Sequence, residues 1–194
     1  MPINYPFLFS LFAAGSLVQR AMEILRNDRG VLGRKPHSLA LWLIVVHLGF
    51  TLGSVAECWL GDEALGWGAS LAGGGLFLIS FFIRRAVLRT LGEFWAIDVD
   101  IKPNHRLLTL GPFAYCRHPN YLAMLLELIG TCLLGRALLT LALTLPAYGV
   151  LLALRVRVEE RALIAKFGEE YLDYRRTTPA IVPRIFGRRV GPAA

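Results

Sequence analysis

Apolar stretches that approach the thickness of a membrane dominate this chain of 194 residues. A transmembrane helix needs about 20 mainly apolar residues. Because the backbone finds no water to bond with in lipid, such stretches are expected to fold as helices that satisfy their own hydrogen bonds. Hydrophobic residues make up 55% of the sequence, above the usual share in soluble domains. The sequence predicts five transmembrane helices, at about residues 5–25, 38–60, 65–83, 120–134 and 137–154.

The predicted fold class is an all-α integral membrane protein that forms one domain over residues 1–194. The N-terminal spans occupy residues 5–83, and the part predicted to carry the chemistry covers residues 84–186. Only Gly135 and Arg136 separate the last two spans. These two helices are therefore expected to form an antiparallel helical hairpin.

The basic residues indicate how the spans are oriented. Three segments, residues 26–35, 84–117 and 155–194, hold 19 of the 21 lysines and arginines. Since basic segments stay on the cytoplasmic side, the N-terminus is expected outside and the C-terminus in the cytoplasm, which five spans allow. The net charge of +7 then faces anionic lipid headgroups. Membrane lipids explain this charge, so no nucleic-acid partner is predicted.

The first chemical motif is GPFAYCRHPNY, residues 111–121, directly before an apolar stretch. Arg117 offers a forked donor for a carboxylate or phosphate. Pro119 suits the first turn of a helix, where its missing N–H costs nothing. The start of that helix would add its positive dipole end. The motif predicts a binding site for an anionic group at the membrane surface, and the alternative is a basic anchor with a capped helix.

The second motif is the pair Glu159 and Glu160, which lies on a helix expected to continue out of the fifth span until Gly168 ends or bends it. A carboxylate can accept both hydroxyls of a ribose, and aromatic residues such as Tyr171 and Tyr174 can flank an adenine. Combined with the first motif, these groups suit S-adenosyl-L-methionine. The alternative is a solvated acidic pair that balances neighbouring arginines through contacts one helical turn apart.

Together the two motifs resemble the isoprenylcysteine carboxyl methyltransferase family of integral membrane enzymes. The pattern is G-P-x-x-x-x-R-H-P-x-Y followed by E-E-x-x-L-x-x-x-F-G-x-x-Y-x-x-Y, and every position is filled here. The resemblance covers residues 84–186 and extends weakly to a bacterial branch in the N-terminal half. It implies a small helical bundle in the bacterial inner membrane. It also implies a cytoplasmic cofactor pocket, formed by a long loop at residues 84–119 and the C-terminal helix.

The resemblance further implies S-adenosyl-L-methionine as methyl donor and a lipophilic small molecule that enters from the bilayer as acceptor. No metal and no obligate protein partner are expected. The positions expected to bind the cofactor are Leu107, Gly111, Pro112, Tyr115, Arg117, His118, Pro119, Tyr121, Glu159, Glu160 and Leu163.

One position departs from the family pattern. Eukaryotic members have an arginine, implicated in holding the carboxylate of the substrate, where this chain has Thr177. The departure argues against a prenylcysteine carboxylate as acceptor. Residues 91–113, together with Glu127, are similar to a bacterial branch that O-methylates long-chain polyketide phenols and pyrones. A prenylcysteine carboxylate remains the alternative acceptor, and Arg175 or Arg176 could replace the missing arginine.

A phenol or enol needs a base, because its neutral oxygen is a poor nucleophile. His105 in the long loop and Glu127 in the fourth span are the candidates, and they join Arg117 as the residues expected to act in catalysis. An ionisable residue inside a membrane span indicates a functional site by default. The alternative for Glu127 is a hydrogen-bonded tie between helices.

Other classes of protein remain open at this point. A phospholipid N-methyltransferase would use similar paired glutamates, and an NADPH-dependent membrane reductase could bind a 2′-phosphate at Arg175 and Arg176. A scaffold or small transporter would leave both motifs unexplained. Transporters usually place polar groups at the midplane between repeats, whereas here the polar motifs collect at one face.

Overall fold

In a computed structural model, residues 4–27, 38–61, 66–94 and 106–183 are described. All regular structure in these ranges is helical, as the sequence predicts, and includes short 3-10 turns at Gly92–Phe94 and Gly111–Ala114. The α-helices are α1 Tyr5–Asn27, α2 Ser38–Leu60, α3 Trp67–Leu91, α4 Pro119–Leu134, α5 Leu138–Phe167 and α6 Glu169–Thr177.

Four helices, α1, α2, α3 and α5, are long and apolar enough to cross a membrane. The fifth predicted span is present as α4, which has 16 residues. At 1.5 Å per residue this helix is about 24 Å long, which is shorter than the hydrocarbon core of about 30 Å. Length and composition therefore support four spans, and α4 is a shorter apolar helix within the bundle.

The third span is longer than the sequence predicts. α3 continues to Leu91, eight residues beyond the predicted end at residue 83, and a 3-10 turn follows it. The predicted long loop at residues 84–119 is therefore wrong in its first part, because the helix runs on past two arginines, Arg84 and Arg85. Hydropathy marks where a helix leaves lipid, and it does not mark where the helix itself ends.

The end of α5 agrees with the sequence. This helix runs unbroken from the apolar stretch through the glutamate pair to Phe167. Gly168 then has a φ of 55°, a left-handed conformation that glycine adopts without steric cost. α6 starts immediately after this break, and its Tyr174 turns back towards the first motif, where its hydroxyl contacts Phe113.

α4 forms the centre of the bundle. It packs against α2, α3 and α5, and its residues Ala123, Leu128 and Cys132 are fully buried. Three residues, Gly135 to Ala137, join it to α5, so the predicted hairpin is present. The core contains one contiguous group of buried side chains from α2, α4 and α5, namely Leu43, Phe50, Tyr121, Leu128, Cys132, Tyr148 and Leu152.

Two glycines let α3 and α4 approach closely. A Cβ added to Gly73 would lie 2.7 Å from the carbonyl oxygen of Gly130, and one added to Gly130 would lie 2.7 Å from the backbone nitrogen of Phe77. Small residues at a helix crossing allow this kind of backbone contact in membranes. The contact fixes α4, and therefore the first motif that precedes it, against α3.

Glu57 of α2 holds the first turn of α5. Its carboxylate accepts the backbone N–H groups of Leu139 and Thr140 at 2.9 and 2.8 Å, and the Thr140 hydroxyl at 2.7 Å. A carboxylate at this position satisfies donors that the first turn of α5 leaves unpaired. Glu57, a carboxylate within the otherwise apolar second span, thus anchors the start of α5.

Candidate active site

The two sequence motifs meet where α4 begins and α5 leaves its apolar stretch. Pro119 is the first residue of α4, as predicted, and His118 precedes it. The buried imidazole of His118 lies between the twin carboxylates. Its Nε2 is 3.4 Å from Glu160 Oε1 and its Nδ1 is 3.7 Å from Glu159 Oε2. The structure therefore brings together two segments about forty residues apart in the chain.

The guanidinium of Arg117 is largely used within the protein. Its Nε and Nη2 donate to Glu160 Oε1 at 2.9 and 2.6 Å, and its Nη1 donates to the carbonyl oxygens of Arg175 and Thr178. An arginine has five N–H donors, so this arrangement leaves little of the predicted fork for an anion. Arg117 instead fixes Glu160 and the end of α6.

Backbone bonds close the same region. The N–H groups of Arg117 and His118 donate to the carbonyl oxygens of Pro179 and Ala180 at 2.9 and 2.8 Å. The Tyr174 hydroxyl donates to the carbonyl oxygen of Phe113 at 2.6 Å. Burial raises the pKa of Tyr174, so this hydroxyl stays protonated and can donate at neutral pH. The C-terminal segment is thereby fixed against the first motif.

The two glutamates differ in exposure. The side chain of Glu160 is 10% exposed, whereas that of Glu159 is 32% exposed. Tyr121 donates to Glu159 Oε2 at 2.5 Å, and Arg155 Nε donates to the Tyr121 hydroxyl at 2.9 Å. The Tyr121 ring also stacks on His118 with centroids 5.4 Å apart. Glu159 is therefore the accessible carboxylate, and Arg155 supports it through the Tyr121 hydroxyl.

A cavity of about 580 Å³ opens next to this cluster. Its volume lies within the range of about 300–1,000 Å³ that small-molecule sites occupy. Part of its wall consists of residues that the sequence predicts as cofactor-binding positions, namely Leu107, Arg117, His118, Pro119, Tyr121, Glu159 and Leu163.

Four predicted positions lie outside this wall. Gly111, Pro112 and Tyr115 belong to the 3-10 turn before α4 or follow it directly, and Gly111 has a φ of 62°. They shape the chain that leads into His118. Glu160 lies behind the wall, where it holds Arg117. His105, which the sequence predicts as a candidate base, lies outside the described residues.

A second part of the cavity extends between α1 and α2. Apolar residues of both helices line it, and Val18 and Leu48 are at the same time 58% and 41% exposed on the outside of the described bundle. Polar side chains lie further in, and sequence reasoning did not select them for a ligand site. They are Arg20, His47, Arg84 and Tyr148.

Glu127 does not line this cavity. It is paired with Arg20, whose Nε lies 3.0 Å from Glu127 Oε1, and His47 Nε2 lies 3.8 Å from the same oxygen. The side chain is 9% exposed. In the structure Glu127 thus ties α4 to α1, which is the alternative that the sequence left open, and its predicted direct contact with the acceptor has no support here.

Comparisons with known proteins agree with this geometry. A model of the isoprenylcysteine carboxyl methyltransferase (ICMT) family matches residues 74–165, which include the first motif and the glutamate pair of the second. The chain is also 30% identical over 166 residues to the uncharacterized protein YpbQ of Bacillus subtilis. The aligned region covers 80% of this chain and 96% of that protein. The chain belongs to the ICMT family. Its members are methyltransferases, and its helices fit an integral membrane protein.

Other relatives match over a smaller share of the chain. The protein-S-isoprenylcysteine O-methyltransferase of Rattus norvegicus is 34% identical over 133 residues, which is 62% of this chain and 44% of that protein. Methanethiol S-methyltransferase 2 of Bradyrhizobium diazoefficiens is 48% identical over 73 residues, which is 38% of this chain and 27% of that protein. The chain thus spans less than half the length of these two relatives.

A solved structure shows the same fold. The eukaryotic intramembrane Ras methyltransferase ICMT superposes with a TM-score of 0.64 at 23% identity. The superposition covers 78% of this chain and 55% of that one. The helical arrangement of this chain is therefore that of the ICMT fold.

Proposed function

We propose that this protein is an S-adenosyl-L-methionine-dependent methyltransferase that methylates an oxygen atom of a lipophilic acceptor. One observation carries the proposal. A single cavity joins the cluster of His118, Tyr121 and Glu159 to an apolar passage between α1 and α2. A polar donor from the aqueous side and an apolar acceptor from the bilayer can therefore meet inside one protein.

The residues in the cavity wall fit S-adenosyl-L-methionine. Glu159 is the one carboxylate among the described wall residues, and a carboxylate can accept ribose hydroxyls. Leu107, Phe113 and Leu163 are wall residues with apolar surface for an adenine. Arg106 lies in the wall as well and can pair with the carboxylate of the amino-acid part.

The bound donor would supply an electrophilic methyl group on a positively charged sulfonium. The protein aligns the two reactants and excludes water, which is how a displacement of this kind is accelerated. Tyr121 and His118 hold Glu159 in place through the contacts described above. Arg117 and the segment that follows α6 close the polar side of the cavity and keep it shielded.

The acceptor we propose is a long-chain polyketide phenol or pyrone. Thr177 occupies the position of the family arginine, and its hydroxyl donates to the carbonyl oxygens of Asp173 and Tyr174. Arg175 Nε lies 3.5 Å from Glu160 Oε2, so this nearby arginine already faces a carboxylate. A prenylcysteine carboxylate is the second candidate, and the rat relative and the family model favour it. Sulfur is the acceptor atom named for the Bradyrhizobium relative.

The proposal includes five spans with the N-terminus outside and the cavity at the cytoplasmic face of a bacterial inner membrane. The clustering of lysine and arginine supports this orientation, and α4 would span as the partner of α5. A reporter enzyme that works only outside the inner membrane should be active when fused before Tyr5 and inactive when fused after the C-terminus. The opposite pattern would contradict the orientation.

Methyl transfer tests the proposed function. The purified protein in phospholipid nanodiscs is incubated with S-adenosyl-L-methionine labelled in its methyl group and, separately, a long-chain alkyl phenol, a long-chain pyrone and a farnesylcysteine analogue. We expect mass spectrometry to find labelled methyl ether from the phenol or pyrone at a rate at least about tenfold above that of the farnesylcysteine ester, a difference of about 1.4 kcal/mol.

The other outcomes separate the alternatives. A faster reaction with the farnesylcysteine analogue would return the acceptor to the prenylcysteine class. Label in the phosphatidylethanolamine of the nanodisc would identify a phospholipid N-methyltransferase. Oxidation of NADPH with a sterol-type substrate, in place of methyl transfer, would identify a reductase.

A further inference from the structure

The passage between α1 and α2 ends at polar groups that the donor site does not use. We define the lipid-facing arm as the part of the cavity lined by Val18 and Ala21 of α1 and by Ile44, His47 and Leu48 of α2. Within the described residues, this arm reaches the outer surface of the bundle. Since its walls are apolar, it suits an alkyl chain, and its polar inner end would face the head of the same molecule.

The charges at this inner end are matched one for one. Arg20 is paired with Glu127, and Arg84 Nε lies 2.5 Å from Glu23 Oε2. Arg84 Nη1 also donates to Asn120 Oδ1 at 3.2 Å. A carboxylate head would therefore meet arginines that already have carboxylate partners, and removing such a head from water without a charge partner is costly.

Two wall groups remain that suit a neutral hydroxyl. The Tyr148 hydroxyl is fully buried and has no hydrogen-bond partner among the residues that the structure describes. His47 lies on the facing helix, and its ring is fixed by an edge contact with Phe50 at 4.6 Å between centroids. A buried hydroxyl without a partner costs free energy, which points to a bound molecule that supplies the missing bond.

We propose that His47 and Tyr148 bind the hydroxyl head of a lipophilic phenol or enol and that His47 accepts its proton. The acceptor O–H bond breaks, the proton moves to the imidazole, and the oxygen keeps the electron pair. That pair forms the new O–CH₃ bond while the methyl–sulfur bond breaks and leaves its electrons on sulfur. The imidazolium then releases the proton to water. The inference rests on the proposed function and names its acceptor class and its base.

Glu127 has a place in this arrangement although it lies behind the wall. Its Oε1 is 3.8 Å from His47 Nε2, which is too long for a hydrogen bond, and its negative charge offsets the positive charge that Arg20 places near the ring. A base whose charge is stabilised by a third group is the arrangement that many acyl-transfer enzymes use. Glu127 is thus a positioning residue, and His47 is the group that touches the acceptor.

A coloured phenol tests the site without any methyl donor. A 4-nitrophenol that carries a long alkyl chain changes its absorption spectrum when it loses its proton. We expect this probe to bind the purified protein in detergent in a saturable manner, with a larger fraction as phenolate than in detergent alone. His47→Gln and Tyr148→Phe should each weaken its affinity about tenfold, and His47→Gln should also abolish the spectral change.

The matched control is Tyr5→Phe. It removes the same hydroxyl group from α1 at a point outside the cavity wall, where Tyr5 donates to the carbonyl oxygen of Leu134. This variant should bind the probe as the unaltered protein does. Tyr148→Phe keeps the aromatic ring in the core, so it tests the site even where His47→Gln fails to fold.

Unchanged affinity in both His47→Gln and Tyr148→Phe would overturn the proposed site. Weakened affinity with an unchanged spectral shift in His47→Gln would overturn the assignment of the base. If the proposed function is wrong but the site is right, the probe would bind as expected, and no labelled methyl group would reach any oxygen acceptor.

Discussion

His118→Ala is expected to weaken binding of S-adenosyl-L-methionine at least about a hundredfold, which corresponds to about 2.7 kcal/mol. The imidazole lies between Glu159 and Glu160 and stacks on Tyr121. Its loss removes the group that separates two adjacent carboxylates and opens a void beside the cavity wall. Like charges without a partner between them repel, and Glu159 would lose the orientation that we propose for ribose binding.

Titration calorimetry in detergent measures this affinity directly. Arg157→Ala is the matched control, because Arg157 is an exposed residue on α5 two positions before Glu159. It should keep the affinity of the unaltered protein within about twofold, a difference of less than about 0.5 kcal/mol. A folded His118→Ala variant that binds the donor normally would remove the cofactor pocket from the place proposed here.

The long apolar helices were predictable from the sequence because lipid offers the backbone no hydrogen-bond partners. A run of apolar residues must become a helix, and the starts of α1 and α2 fall where hydropathy places them. The end of α3 could not be found in this way. Residues 84–91 are rich in arginine yet helical, since Arg84 turns inward to Glu23. The pairing that makes this favourable joins residues 61 positions apart.

The cluster of His118, Glu159 and Glu160 was predictable for a related reason. His118 and the glutamate pair have complementary chemistry, and a short hairpin brings their two helices side by side. The choice between Glu159 and Glu160 was not accessible, because neighbouring residues on an α-helix point about 100° apart and only the packed bundle decides which one faces the cavity. The inward contact of Arg155 with the Tyr121 hydroxyl was not accessible for the same reason. In the sequence Arg155 is one of several basic residues after the fifth span.

Glu127 shows the limit of reasoning from a single span. A carboxylate inside an apolar helix is unusual, and this position correctly indicated that Glu127 makes a specific polar contact. Its partner Arg20 lies 107 positions earlier, so the sequence could not say whether the carboxylate meets a substrate or another helix. His47 lies 3.8 Å from Glu127 in the folded protein, whereas the sequence shows it only as a polar residue within the apolar second span.

Arg117→Ala is expected to lower the free energy of unfolding by about 3–5 kcal/mol, the usual cost of removing one member of a buried ion pair. The change leaves Glu160, with a side chain 10% exposed, without its two closest donors. It also releases the carbonyl oxygens of Arg175 and Thr178. For a chain of this length the melting temperature should fall by about 6–20 °C, and the lower end is expected because His118 stays 3.4 Å from Glu160.

Two further variants test whether the loss of stability is specific to the buried Arg117–Glu160 pair or follows the removal of any arginine. Arg176→Ala removes an exposed arginine that is paired with Asp173 at 2.6 Å, and the loss of such a surface pair should cost no more than about 1 kcal/mol. The double variant Arg117→Met with Glu160→Leu removes both buried charges and should regain much of the stability. It should still bind the methyl donor poorly, because the end of α6 loses its attachment to the first motif. Equal melting temperatures for Arg117→Ala and Arg176→Ala, measured in the same detergent, would show that the Arg117 pair does not hold the C-terminal segment in place.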